Sequence, residues 1–140
     1  MNGFKKEIIV SADDLDDLNH VNNVRYVQWI QDISKEHWQA KASSQMQEDV
    51  IWVVLSHHIE YKNAAVINDP ILMSTYIESS SGAKSIRIVE MHHGITKKLL
   101  VRSSTEWCLL NSESYRPVRI PEEIKEIATV ICLFQKTRFI

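Results

Sequence analysis

A single long amphipathic segment constrains the fold of this chain more than any other feature. From Asn23 to about Ala42 the apolar residues recur at the 3.6-residue spacing of a helix, and after a polar break at Gln45–Asp49 the period changes to two. The predicted buried side of this helix carries Tyr26, Val27, Ile30, Ile33, Ser34, His37 and Trp38. No second long helix is predicted, so this one must cover the apolar face of any sheet. We therefore predict an α+β fold with the helix lying across a sheet.

Five segments have the composition and alternation of β-strands, namely Phe4–Ser11, Ile51–Lys62, Ile71–Ser79, Lys84–His92 and Lys98–Leu110. Strict alternation in the second segment predicts one face made of Ile51, Val53, Leu55, His57, Ile59 and Tyr61. Segments joined by short turns are expected to be antiparallel neighbours. Pro121 is expected to open a short helix, Pro121–Ala128. Residues 129–140 either extend that helix or add an edge strand.

Length and charge limit the classes of protein to which this chain can belong. The 140 residues predict one domain, residues 1–140, with a sizeable core. A net charge of −2 gives no electrostatic reason to expect binding to nucleic acid or to a membrane surface. The first residues lack the apolar core of a signal peptide and no apolar run is long enough to cross a bilayer, so a cytoplasmic location is expected. Cys108 and Cys132 are isolated and are predicted to be reduced and buried.

The segment before the long helix combines acidic residues with good helix caps. Four acids, Asp13, Asp14, Asp16 and Asp17, precede Asn22 and Asn23. An asparagine side chain can cap the first turn, and the free N–H groups of a helix start favour negative charge. A carboxylate together with backbone donors is a minimal set of groups for attack on a carbonyl. The alternative is a solvated acidic loop that complements the helix dipole.

The same segment, Asp14–Trp29, resembles the signature of the hot-dog-fold thioesterases, in the branch of the acyl-ACP and 4-hydroxybenzoyl-CoA thioesterases. The matching residues are Asp14-Leu15-Asp16, His20-Val21-Asn22-Asn23, Tyr26 and Trp29. Weaker similarity continues through Ile59–Tyr61, Asn68–Pro70 and Arg116–Pro121. The resemblance implies an antiparallel sheet of five or six strands wrapped round one central helix. It also implies a homodimer or homotetramer with sites at the seam between subunits.

For the chemistry, the resemblance implies that Asp16 is the catalytic carboxylate, as general base or nucleophile. In the plant acyl-ACP branch a histidine and an asparagine accompany the acid; the histidine falls on His20, and Asn22 is the further candidate in this chain. Capping by Asn22 would aim the N–H groups of Asn23 and Val24 outward as an oxyanion hole. The alternatives are loop shaping for His20 and helix capping for the asparagines. Leu18 replaces the asparagine that the plant acyl-ACP branch carries, and Ala64-Ala65 replaces its Glu-Cys pair, so a cysteine nucleophile is not supported.

Other residues are candidates for holding the substrate. Tyr26, Trp29 and Ile30 are expected to line the acyl pocket, although core packing explains them equally. The turn with Ser81, Gly82 and Lys84 could contact the phosphates of coenzyme A, with Arg87 and Arg102 as further candidates; an ordinary turn is the alternative. Glu36, on the polar side of the helix, is a weaker candidate acid.

No metal or cofactor is expected. Adjacent histidines in a strand point to opposite faces, so neither His57-His58 nor His92-His93 is suited to chelate one ion, and structural roles are predicted for them. The favoured function is hydrolysis of an acyl-CoA or acyl-carrier-protein thioester to a carboxylic acid and a thiol. The alternatives are a non-catalytic acyl-CoA-binding or regulatory module, and, with little support from the His-Val-Asn-Asn stretch, a dehydratase.

Overall fold

The computed structural model describes residues 3–126, which form a five-stranded antiparallel sheet with one long helix packed against it. The elements are β1 (Phe4–Ile9), a 3-10 turn (Ala12–Asp14), α1 (Asn23–Lys41), α2 (Ser44–Asp49), β2 (Val50–Tyr61), β3 (Pro70–Ser81), β4 (Lys84–His93) and β5 (Leu99–Asn111). Residues 122–126 are helical. The predicted α+β class and the long helix are confirmed. The end of the helix predicted at Pro121–Ala128, the segment 129–140 and Cys132 lie outside the described residues.

The strand order is β1-β3-β4-β5-β2, with every neighbouring pair antiparallel. The expectation that consecutive strands are neighbours holds for β3, β4 and β5 but is wrong for β2 and β3. The connection between these two strands, residues 62–69, is long enough to cross beneath the start of α1, where Ala65 O accepts from Val21 N–H at 2.9 Å. This crossover lets β1 pair with β3 and leaves β2 at the opposite edge of the sheet.

The core lies between α1 and the sheet. Five residues of the predicted apolar side of α1 are buried: Tyr26, Ile30, Ile33, Ser34 and His37. Ile30 and Ile33 are fully buried against strand residues such as Met73, Val89 and Val101. Burial of this one helical stripe fixes the helix across the sheet, because a half-buried helix and a sheet with one apolar face each need the other.

A β-bulge in β2 overturns the predicted single face of that strand. The pairing with β5 shifts between Val54 and Ser56, which adds one residue at Leu55. Trp52, before the bulge, packs edge-on against Trp38 of α1, and Tyr61, after it, lies 5.9 Å from the ring of Tyr26. Strict alternation had put Trp52 and Tyr61 on opposite faces; the bulge brings both to the helix side.

The segment predicted as a polar break is a short helix, α2. Ser43 caps it by accepting from Met46 N–H at 3.1 Å, and Gln45 donates to Asp49 at 2.8 Å along the exposed side. A second apolar cluster lies at this end of the sheet, made of Val50, Leu109, Ile120 and Ile124 with Trp38, Met46 and Trp52 packed against it. Cys108 is buried and free, as predicted. Among residues 3–126, no helix has the length and apolar character needed to cross a membrane.

Candidate functional site

The acidic loop before α1 closes on itself around Asp16. Asp16 N–H donates to His20 O at 2.7 Å, and Asp16 Oδ1 accepts from the N–H groups of Leu18 (2.9 Å) and His20 (3.2 Å). The turn contains Asn19 at a φ of 61°, a left-handed conformation that asparagine tolerates. Oδ2 of Asp16 has no hydrogen-bond partner among the described residues. The loop therefore fixes one carboxylate oxygen and leaves the other available.

Asp14 has a different role from Asp16. Its Oδ2 accepts from Ser11 N–H at 2.9 Å, and its Oδ1 lies 3.0 Å from Nε of Arg25 on the first turn of α1. Arg25 also donates to Asp13 O at 3.2 Å. One oxygen of Asp14 thus closes the 3-10 turn on Ser11, and the other fastens the loop to the helix. Sequence reasoning missed this ion pair, because it treated Arg25 only as part of the polar side of the helix.

The start of α1 is capped by Asn22, as the sequence predicted. Oδ1 of Asn22 accepts from Val24 N–H at 2.9 Å, so that amide is already occupied. Asn23 N–H has no acceptor among residues 3–126, which makes it the freer of the two candidate oxyanion donors. A small cavity of about 200 Å³ lies beside this helix start, lined by Asp13, Leu15, Asn22, Val24, Arg25 and Gln28.

Asp16 does not share that cavity within one protomer. It is not among the cavity-lining residues, and its hydrogen bonds stay inside its own loop. His20 is exposed and touches Asp16 only through its backbone, because it is the His20 N–H, and not the imidazole, that donates to the carboxylate. One protomer thus brings Asp16, His20 and the helix start into one loop region without joining the carboxylate to the amides.

Replacing Asn22 tests the cap. Asn22→Ala is expected to lower the free energy of unfolding by about 1 kcal/mol, because Val24 N–H loses its acceptor, whereas Asn22→Ser should cost only a few tenths, since serine caps as well. Urea denaturation followed by circular dichroism measures both. Equal losses for the two variants would show that Asn22 acts through something other than capping.

The three candidate acyl-pocket residues are part of the core. Tyr26 and Ile30 are buried, and Trp29 is half-buried with its ring edge-on to Tyr26 at 5.6 Å. They lie one to two turns into α1, on the side that packs against the sheet. Their expected role as wall of an acyl pocket is therefore compatible with their position but is not required by it.

The turn predicted to contact coenzyme A is far from Asp16 in the same protomer. The loop of Asp16 adjoins the start of β3, since Val10 N–H donates to Asp69 O at 3.0 Å. Ser81, Gly82 and Lys84 lie at the other end of this twelve-residue strand, about 35 Å away along it at 3.3 Å per residue. One protomer alone does not bring these residues to the Asp16 loop.

The remaining charged candidates have other partners. Arg102 pairs with Glu90 at 3.1 Å, and Glu36 pairs with Lys6 at 2.8 Å. Arg87 is only 8% exposed and donates to His37 Nδ1 and Thr75 Oγ1, so it is not positioned for phosphates on the surface. Sequence reasoning missed this buried pairing, although His37 on the apolar side of α1 and Arg87 in a β-strand were the available signals.

The histidine pairs have structural contacts. His57 Nδ1 lies 2.8 Å from Thr105 Oγ1, and burial lowers the pKa of His57. His93 Nδ1 accepts from the N–H groups of Ile95 and Thr96 at 3.2 Å each, which shapes the β4–β5 turn. Within residues 3–126 there is no group of three or more His, Cys, Asp or Glu side chains arranged to hold a metal ion.

A second, larger cavity of about 400 Å³ lies between the C-terminal half of α1 and the sheet. Helix residues from Gln31 to Gln39 form one wall, and Trp52, Arg87 and Trp107 are among the residues opposite. Gln31 is eight residues beyond Asn23, so this cavity begins about 12 Å along the helix from the capped end. The two cavities are therefore separate features of one protomer.

Comparison with known proteins identifies what this architecture is similar to. The model of the acyl-ACP thioesterase N-terminal domain matches residues 1–128. Acyl-[acyl-carrier-protein] hydrolase FATB3, chloroplastic, of Cuphea viscosissima is 28% identical over 83 residues, which are 57% of this chain and 19% of that relative. The chain therefore spans about a fifth of the length of this curated relative.

Solved structures agree in fold. The probable thioesterase YbaW from Escherichia coli superimposes with a TM-score of 0.81 at 18% identity, covering 91% of this chain and 97% of that one. A thioesterase from Thermus thermophilus, complexed with coenzyme A and zinc, gives a TM-score of 0.80 at 18% identity over 94% and 96% of the two chains. These matches confirm the predicted hot-dog architecture, with five strands in the described sheet.

Proposed function

Because the chain belongs to the family of the acyl-ACP thioesterase N-terminal domain, we propose that it hydrolyses acyl thioesters to a carboxylic acid and a thiol. The observation that carries this proposal is Asp16, which stands at the acid of the family motif with one oxygen held by the loop and the other without a partner in the described part of the chain. A thioester suits a single carboxylate, because a thiolate leaves readily and needs little help from a general acid. Asp16 then acts as general base on water or as nucleophile on the carbonyl.

The oxyanion of the tetrahedral intermediate needs a donor, and the start of α1 offers one. Asn23 N–H has no acceptor among residues 3–126, and the helix dipole favours negative charge at this end. Val24 N–H becomes available only if Asn22 releases it, so Asn23 is the first donor and Asn22 its positioning residue. His20, exposed beside the loop, is available to contact the substrate.

A homodimer joined through β2 would complete this site. β2 is a twelve-residue edge strand that has its only described neighbour in β5, and an unpaired edge favours pairing with a second copy. Antiparallel pairing about a two-fold axis places the Tyr61 end of one protomer beside the Val50 end of its partner. The Ser81–Lys84 turn of the partner would then lie at the same end of the joined sheet as Asp16, where it could bind the nucleotide of coenzyme A.

Thiol release from a panel of thioesters tests the activity. The purified chain is incubated with acyl-CoA and acyl-carrier-protein substrates of graded chain length, and the free thiol is measured. We expect turnover on at least one class of thioester. The Thermus relative was solved with coenzyme A and the Cuphea relative acts on acyl carrier protein, so both carriers belong in the panel. Absence of thiol release from every member rejects the proposal.

A second candidate function is an acyl-CoA-binding module that does not cleave its ligand. The separation of Asp16 from the helix-start cavity within one protomer favours it. Binding of an acyl-CoA without release of thiol, at concentrations where the chain is dimeric, distinguishes this candidate from the hydrolase.

A further inference from the structure

The larger cavity combines apolar walls with a positive charge. Its volume of about 400 Å³ is within the range of small-molecule sites. Three tryptophan side chains line it, Trp38, Trp52 and Trp107. The charged residues of its lining are Lys35 and Arg87, and no aspartate or glutamate is among them. An occupant with an apolar body and a negative end fits this lining.

Arg87 is a buried cation that has no anionic partner among residues 3–126. It is 8% exposed, and its two hydrogen bonds run from one nitrogen, Nη1, to His37 Nδ1 at 3.0 Å and Thr75 Oγ1 at 2.9 Å. Both acceptors are neutral, and Nε and Nη2 have no acceptor among the described residues. Burial lowers the pKa of Arg87 to about 10, so the side chain is still charged at neutral pH. A buried charge without a counter-ion is costly unless a ligand supplies one.

A second buried donor lies next to Arg87. Trp107 Nε1 is buried and has no acceptor in the described part of the chain. Arg87 pairs with Thr105 in the register of β4 and β5, and Ser85 pairs with Trp107, so the two donors lie on the same face of neighbouring strands. Since buried polar groups normally have partners, the orphaned Trp107 N–H, next to Arg87 donors that have no acceptor among the described residues, indicates that an acceptor belongs in this cavity.

We propose that this cavity binds a carboxylate at the end of an apolar chain, with Arg87 and Trp107 as donors and the tryptophan rings around the chain. Two sources supply this chemistry. One is a free fatty acid, which is the product class of the proposed reaction. The other, which also rests on the proposed function, is the far carboxylate of a dicarboxylic acyl thioester whose carbonyl lies at Asp16 of the partner subunit.

Binding to the wild-type protein tests the carboxylate requirement without any variant. Decanoic acid and decan-1-ol are titrated separately, and the fluorescence of the tryptophans that line the cavity is followed, with calorimetry as a second measurement. We expect the acid to bind at least about 10-fold more tightly than the alcohol, the equivalent of about 1.4 kcal/mol. Equal affinities of the acid and the alcohol overturn the proposal. Absence of binding by the acid overturns it as well, and this outcome covers the case in which a carboxylate from a second copy of the chain already fills the site.

Variants identify the donors. Arg87→Met should lose at least about 10-fold in affinity for decanoate, and Trp107→Phe, which removes the N–H together with part of the ring surface, should lose a few-fold. Arg102→Met is the matched control, because Arg102 pairs with Glu90 outside the cavity, and it should bind decanoate as the wild type does. Unchanged affinity in both cavity variants overturns the assignment of the donors. The comparison of acid with alcohol stands even if Arg87→Met fails to fold.

Thiol release separates the two sources. If the acyl end is the ligand, the wild type should hydrolyse dodecanedioyl-CoA at least about 10-fold faster than dodecanoyl-CoA at low substrate, and Arg87→Met should lose this preference. If the free acid is the ligand, decanoate binds and no such preference exists. A chain that binds decanoate but cleaves no thioester contradicts the proposed function and leaves the cavity assignment intact, so the two failures are distinguishable.

Discussion

Asp16→Asn is expected to reduce thiol release by about 100-fold or more while leaving the fold unchanged, because loss of a general base or nucleophile typically costs 10²–10⁴ in rate. The substitution is well matched to this loop. Oδ1 of an asparagine can still accept from Leu18 and His20 N–H, so the turn keeps both of its bonds. The free oxygen is then the group that is replaced by an amide. Steady-state kinetics on the best thioester of the panel, together with the melting temperature, measure the two effects.

Asp16→Ala is the companion variant. It removes the carboxylate and also the acceptor of two loop hydrogen bonds, so we expect the same loss of activity together with a loss of about 1 kcal/mol in the free energy of unfolding. Asp14→Asn is a control for charge, since Asp14 is engaged with Arg25 and Ser11. Full activity in Asp16→Asn would remove Asp16 from the chemistry and would require another group to act as base or nucleophile.

The fold was largely predictable, because it depends on periodicities that the sequence displays. The 3.6-residue pattern of α1 and the cap at Asn22 were both visible, and the structure places the helix at Asn23–Lys41. The predicted strand face and strand order were wrong where one extra residue changes the period of a strand or where a connection crosses to a distant strand of the sheet. The bulge at Leu55 moves Trp52 to the helix side, and no local signal separates such a residue from one more step of a strand. Likewise, the length of the segment 62–69 does not specify which strands it joins.

The candidate site was predictable only as far as local contacts determine it. The closeness of Asp16, His20 and Asn22 follows from their spacing, but the use of Val24 N–H by the cap and the ion pair of Asp14 with Arg25 depend on side-chain rotamers. The contact of Arg87 with His37 joins residues 50 positions apart. A pairing of that kind depends on the strand order, which the pattern of the sequence did not supply.

The contact between Arg87 and His37 leads to a second large effect, a loss of folding stability in mild acid. His37 is buried, and burial together with the nearby charges of Arg87 and Lys41 lowers its pKa from 6.5 to about 3. Its Nδ1 accepts from Arg87, its Nε2 has no partner in the described part of the chain, and the ring stacks on Phe4 at 5.6 Å. A proton added at Nδ1 would remove this hydrogen bond and place two positive charges side by side.

The sign of the effect follows from these pKa values. In the unfolded chain His37 is protonated with a pKa of 6.5, whereas in the folded chain it is protonated only with a pKa of about 3. The contribution of His37 to stability is therefore complete above about pH 6.5 and is lost as the pH falls toward 3. At pH 5, 1.5 units below 6.5, the loss is about 2 kcal/mol at 1.36 kcal/mol per unit. Urea denaturation at pH 7.5 and pH 5.0 measures it.

The His37→Gln variant isolates this contribution, because glutamine can accept from Arg87 and does not titrate. We expect it to lose about 2 kcal/mol less than the wild type between pH 7.5 and 5.0. His57→Gln is the comparison variant. Burial lowers the pKa of His57 as well, so its contribution has the same sign, but this side chain is less enclosed and contacts neutral Thr105, so its effect should be smaller. If His37→Gln and the wild type lose the same stability, the imidazole of His37 keeps an ordinary pKa in the folded chain, which contradicts a buried, neutral His37 that accepts from Arg87.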